Sequence, residues 1–173
     1  MIKKNRGFSL LEVMVAVVVV GIGLLGVAKL QVTALQNSSH AGYRSNATDI
    51  ASSIAERIKA NIGSDNNYVS AVIGACPAMP TRCAMPPDGS LADANDCTGA
   101  DMATYDLWEV RCLNGVKNIL PEGTVSITCA DSDLTDTDAC TPNSTFLTTV
   151  TWTNQDGNNE AVIMSFVPGA PAR

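Results

Sequence analysis

The stretch "KKNRGFSLLEVMVAVVVVGIGLLGVAKLQ", residues 3–31, decides how the rest of the chain is read. From Phe8 to Ala28 it runs for 21 residues and is interrupted by polar side chains only at Ser9 and Glu12. About 20 apolar residues are enough for a helix to cross a bilayer. Lys3, Lys4 and Arg6 precede the run, and with these three removed from the 11 basic residues, against 17 acidic ones, the remainder stands near −9. That asymmetry predicts the N-terminus inside and the C-terminus outside. A secretory signal peptide would have a shorter apolar region followed by a small-residue cleavage site. Here the small residue, Gly7, comes before the run, so the segment is expected to be retained. Glu12 is the anomaly. An ionised carboxylate inside a span costs a few kcal/mol even on lenient insertion scales, so a partner is expected. A cut after Gly7 would give Phe8 a new α-amino group. In a neighbouring copy that cation would meet Glu12 in a low-dielectric medium and set the register between helices. The plainer alternative is an ordinary signal anchor with an incidental Glu.

The rest of the 173 residues is enough for one modest domain. It is rich in Asn, Asp, Ser, Thr, Gly and Pro, which suits a loop-rich head with a small core. Its acidity argues against a phosphate-binding surface, and no nucleic-acid partner is expected. Six cysteines, Cys76, Cys83, Cys97, Cys112, Cys129 and Cys140, all follow the apolar run. None forms a C-x-x-C pair, which speaks against zinc ribbons and thioredoxin-like sites. Disulfides in an oxidising compartment are the direct reading.

Beyond Lys29 come Leu30, Ala34 and Leu35. Then Ala47, Ile50, Ala51, Ile54, Ala55, Ile58 and Ile62 follow i, i+3, i+4 spacing and draw one apolar stripe. Asp49, Glu56, Arg57 and Lys59 fall off it, and Gly63 stands where a helix stop belongs. A helix from Phe8 to Ile62 would be about 80 Å long. Gly21, Gly23 and Gly26 weaken its first half. They suit close helix packing, local unwinding when the helix leaves lipid, or both. Residues 63–104, with three cysteines and prolines at 77, 80, 86 and 87, read as a stapled irregular connection with a short helix around Tyr68 to Ile73. Residues 105–119 read as a helix ended by Pro121 and Gly123. "TVSITC" (124–129), "TFLTTVTWT" (145–153) and "EAVIMSFV" (160–167) read as strands, with "NQDGNN" as a hairpin turn. The expected fold class is α+β: a long N-terminal helix packed on a small antiparallel meander with disulfide-bonded loops. Cys129 ends one strand and Cys140 precedes the next, so a bridge between them would close the acidic loop and contribute about 2–3 kcal/mol by loop entropy. The pairing of Cys76, Cys83, Cys97 and Cys112 stays open.

Catalytic chemistry finds little support. His40 is the single histidine and reads as a solvated helix residue, so His-based triads lack a base. No glycine-rich phosphate loop occurs. Trp108, Trp152 and Phe166 read as core. Asp131, Asp133, Asp136 and Asp138 share a loop, but Thr135 and Asp136 break the EF-hand pattern, and a solvated acidic loop is preferred to a calcium site. The Asn-x-Ser/Thr strings at Asn37, Asn46 and Asn143 are uninformative in this setting. No enzyme, cofactor or metal is expected.

"RGFSLLEVMVAVVVVGIG" (6–23) resembles the signal of type IV prepilins: a short basic leader ending in Gly, then Phe, with Glu four residues after it. The resemblance implies a leader, residues 1–7, cut by prepilin peptidase between Gly7 and Phe8. It implies N-methylation of Phe8 and a role for Glu12 in methylation and assembly. "IGLLGVAKLQVTALQNSSHAGYRSNATDIASSIAERIKAN" (22–61) and, more weakly, "YDLWEVRCLNGVKNILPEGTVSITC" (105–129) resemble the PilV minor pilins. The implied organisation is a transmembrane and filament-core helix over 8–28, its amphipathic continuation over 29–62 and a periplasmic head over 63–173. The implied partners are other minor pilins, the major pilin, prepilin peptidase, a pilus tip adhesin and the inner membrane. The implied location is the inner membrane and then the pilus. A minor pseudopilin of a type II secretion system shares the N-terminal motif and is the alternative. The Gly-rich "GIGLLGVAKLQ" and the cysteines favour the pilus.

Overall fold

The computed structural model describes residues 7–70, 76–83, 96–113, 115–132, 135, 140 and 143–169. Two compact units share the chain, residues 1–41 and 42–173. Helix α1, Leu10–Ala60, is 51 residues long and contributes to both. In the first unit every residue from Gly7 to Ser38 is exposed. One helix is thus long and apolar enough to cross a membrane, and its most apolar stretch is not buried.

The second unit, the head, is built on the Ala/Ile stripe. Ala47, Ile50, Ala51, Ile54, Ala55 and Ile58 are the buried residues of α1. The helix ends at Ala60, and Gly63 follows at φ +94°, a conformation that L side chains rarely adopt. Three strands, β1 (Thr124–Ala130), β2 (Thr145–Thr153) and β3 (Asn159–Phe166), form an antiparallel sheet in the order β1-β2-β3. Val125 faces Val150 across the first pair, and Phe146 faces Phe166 across the second. Period-2 alternation sends Val125, Ile127, Phe146, Val150 and Trp152 into the same core as the α1 stripe. The β2–β3 turn carries Gly157 at φ +77°, and Trp152 is held at the core edge by donating from Nε1 to Asn154 Oδ1 at 3.0 Å. Phe166 stacks on Phe146 at the core's edge.

The connection between α1 and the sheet departs from the sequence expectation in three places. A 3₁₀ turn, Asp65–Tyr68, ends before Ser70 bridges antiparallel to Ile127, so the short helix expected near Tyr68 stops at that ring; residues 71–75 lie outside the described part. Helix α2, Gly99–Trp108, starts earlier than the expected 105. Thr98 is its N-cap: its hydroxyl accepts from the Asp101 N–H, and the Asp101 carboxylate accepts from the Thr98 N–H, a complete capping box. Nor does that helix run on to 119. It widens into a π-turn over Glu109–Leu113, breaks at Gly115, and resumes as the single turn α3, Val116–Ile119. The break is steric: a Cβ on Gly115 would overlap the Val110 carbonyl, so the chain folds back here only because the residue is glycine.

Candidate functional site

The residues singled out at the N-terminus stand in the open. Gly7 and Phe8 precede α1, and Phe8 is 83% exposed. Ser9 starts the helix: its Oγ accepts from the Glu12 N–H at 3.2 Å, and its carbonyl accepts from the same N–H at 3.1 Å. Ser9 and Glu12 therefore hold the N-cap and N3 positions of an S-x-x-E start, which the sequence reading overlooked because the lipid cost of Glu12 dominated it. Phe8 and Glu12 lie on one strip of the helix with Val13, Ala16 and Val20. That strip is an open surface rather than a cavity. A carboxylate in the first turn also meets the positive end of the helix dipole, a second reason for tolerating it at this position.

In the head, three disulfides join Cys76 to Cys112, Cys83 to Cys97 and Cys129 to Cys140. The first clips the segment after residue 75 to the π-turn. The third closes the acidic loop, in which Asp131 accepts from Ser144 Oγ at 3.2 Å. Asp133, Asp136 and Asp138, the other carboxylates of that loop weighed for calcium, lie outside the described residues. Among the described residues no group of three or more His, Cys, Asp or Glu is placed to hold a metal ion.

Arg57 falls off the apolar stripe by sequence, yet it is drawn inward. Its Nη1 donates to Asp106 Oδ1 at 2.5 Å and to Glu109 Oε2 at 2.9 Å. Burial alone would lower the Arg57 pKa, but Asp106 and then Glu109 outweigh it and the pKa is raised. Tyr68 OH donates to the other Asp106 oxygen at 2.6 Å. Its pKa is pushed up by burial first and by that hydrogen bond second. Asn61 Nδ2 completes the group by donating to the Gly99 carbonyl at 2.7 Å. This network ties α2 to α1 and the 3₁₀ turn. It is satisfied within itself and presents no reactive atom, so it reads as structure rather than catalysis.

An exposed apolar helix continuing into a disulfide-bonded α+β head defines the class: the fold is that of a pilin. Two family models specify it further. Residues 2–28 match the prokaryotic N-terminal methylation motif, and residues 29–108 match the family described as type IV pilin Tt1218. The two matches abut, and they support a type IV pilin that carries the methylation motif. No match was found among curated proteins or among solved structures. Pilins are structural subunits.

Proposed function

We propose that this chain is a minor pilin of the type IV pilus, of the PilV kind, held in the inner membrane with its head in the periplasm and then built into the filament. The observation that carries the reading is the succession of a methylation-motif match, 2–28, and a pilin match, 29–108, on a helix whose first part is wholly exposed and apolar. In this reading prepilin peptidase removes residues 1–7, and the Phe8 amine so freed is methylated. Residues 8–28 span the membrane and later the filament core, 29–62 continue the helix, and 63–173 form the head. Glu12 of one copy meets the Phe8 amine of the next. The neighbours are other minor pilins, the major pilin and a tip adhesin.

Intact-mass measurement of sheared pili tests the processing: the subunit is expected to lack residues 1–7, and a filament subunit retaining Met1 would sink the assignment. Glu12→Val tests the pairing. It removes the insertion cost, so the variant should reach the membrane at least as well as wild type. It also removes the charge, so the ratio of subunit in pili to subunit in membrane should fall. Glu12→Gln should behave likewise, and Glu12→Asp should fall between. Entry of Glu12→Val into filaments at the wild-type ratio would refute the pairing.

A further inference from the structure

Among the described residues Arg111 is a cation with no anion beside it. Its Nη2 donates to Ser70 Oγ at 2.5 Å and to the Val125 carbonyl at 3.3 Å, both neutral acceptors. Its Nε is buried and has no acceptor among the described residues. Among the described residues no carboxylate pairs with it, whereas Arg57 has two. Burial lowers its pKa with no neighbouring acid acting in the opposite direction. A guanidinium stays charged in a protein, so a partly desolvated one without a counter-ion is a standing electrostatic cost.

That side chain lines a pocket of about 320 Å³, near the lower end of the range for small-molecule sites. The other walls are mainly apolar, with Leu107 and Trp108 of α2 on one side and Pro77, Ala78 and Pro80 on the other, and Ser70 and Thr104 add two hydroxyls. The two sides are fixed to each other. Cys76 is bonded to Cys112, and Trp108 Nε1 donates to the Pro77 carbonyl at 3.1 Å. Arg111 and Cys112 both sit in the π-turn, a distortion that often marks functional sites.

We propose that this pocket binds a carboxylate carried on an apolar body, with Arg111 as its counter-ion and Trp108 and the prolines enclosing the body. A single guanidinium matches a single negative charge; a phosphate dianion would leave one charge uncompensated among apolar walls. Nη2 spends its two protons on Ser70 and Val125, which fixes the plane of the guanidinium and leaves Nη1 to make one charge-assisted hydrogen bond to the carboxylate. The size fits one large side chain or one aromatic acid. The site uses none of Gly7, Phe8 or Glu12 and goes beyond the pilin reading. Two sources share this chemistry, a free apolar acid and the C-terminal carboxylate of a polypeptide ending in an apolar residue.

The test uses the full chain in detergent micelles with its disulfides intact, titrated by calorimetry. Four probes are compared: benzoate, the peptide Ala-Ala-Ala-Phe, the same peptide as its C-terminal amide, and inorganic phosphate. Saturable binding of either carboxylate, at least about tenfold tighter than the amide and phosphate, is expected from one charge-assisted hydrogen bond. Benzoate alone would identify a small acid as the source, and the peptide would identify a chain end. Arg111→Gln should weaken binding at least about tenfold. Because that change also removes bonds to Ser70 and Val125, Ala78→Glu is the second variant. It leaves Arg111 in place and offers it a tethered carboxylate, which should displace the added acid. Absence of saturable binding by both carboxylates, equal binding of acid and amide, phosphate binding as tightly as the carboxylates, or wild-type binding by Ala78→Glu would each overturn the proposal.

Discussion

The two ends of helix α1 have the same backbone and opposite surroundings. From Leu10 to Ser38 no residue is buried, although Leu, Val and Ile dominate. From Ala47 to Ile58 six residues are buried, all on one face. The first stretch is apolar all round, and a helix of that kind needs a medium or neighbours that are apolar on every side. The second is apolar in a stripe only and closes its own core. The difference lies in side-chain pattern rather than helix propensity: Ile and Ala at i, i+3, i+4 with Asp49, Glu56 and Lys59 between them make a head, and an uninterrupted Val run makes an anchor.

Paired truncations should expose that contrast most strongly. Ile54 is 1% exposed in the core, so Ile54→Ala should cost the head about 3–4 kcal/mol through lost burial and the cavity left behind. Val18→Ala, on the exposed stretch, should leave the head within about 0.5 kcal/mol of wild type. Denaturant unfolding of the full chain in micelles, followed by the fluorescence of the buried Trp152, measures both. Equal effects would mean that the two stretches do not differ in the way their patterns say.

The same contrast explains what was legible in the sequence. The Ala/Ile stripe and the three strands could be read because each repeats a local period that burial imposes: 3.6 residues for Ala47 to Ile58, and two for Phe146, Thr148, Val150 and Trp152. Gly63 could be read because a stop after a periodic run is a local signal. The capping box at Thr98 and Asp101 was just as local and was missed, since the cysteine- and proline-rich context drew the reading towards loop. The break at Gly115 could not be read: it depends on where Val110 places its carbonyl. Arg57 looked like a surface residue because Asp106, its principal partner, lies 49 positions away. The pocket around Arg111 is less legible still. It needs Pro77 and Ser70, brought in by a disulfide and an isolated bridge that no spacing announces.

A second, smaller effect sharpens the comparison by asking what holds α2 to the head half of α1. Asp106→Asn keeps the side-chain shape, but it removes the charge facing Arg57 and weakens the acceptor for Tyr68. Arg57 retains Glu109 and its side chain is 30% exposed, so the loss should be about 2 kcal/mol rather than the larger cost of stranding a fully buried charge. Tyr68→Phe alone should cost about 1 kcal/mol. The double variant should lose less than the sum, because both changes break the same Tyr68–Asp106 hydrogen bond. Strict additivity in denaturation midpoints would show that the network does not act as a unit.

The smallest effect concerns the start of α2, and it carries a pH signature. Thr98→Ala deletes the N-cap and should cost about 1 kcal/mol near neutral pH. The Thr98 hydroxyl donates to the Asp101 carboxylate at 2.7 Å, and that bond, followed by the one from the Thr98 N–H, lowers the Asp101 pKa from its ordinary 3.8. A depressed carboxylate pKa stabilises the fold above the unfolded-state value and loses that contribution as pH falls through the folded-state value. The gap between wild type and Thr98→Ala should therefore be constant at pH 5 and above, then narrow as pH drops below about 3.8 and Asp101 takes up its proton. It should not close entirely, because the Asp101 N–H still has the hydroxyl as acceptor in wild type. Urea unfolding at a series of pH values measures the gap. If it stayed flat down to pH 2, the carboxylate half of the cap would contribute nothing, and the Thr98 hydroxyl accepting from the Asp101 N–H would be the whole of the cap.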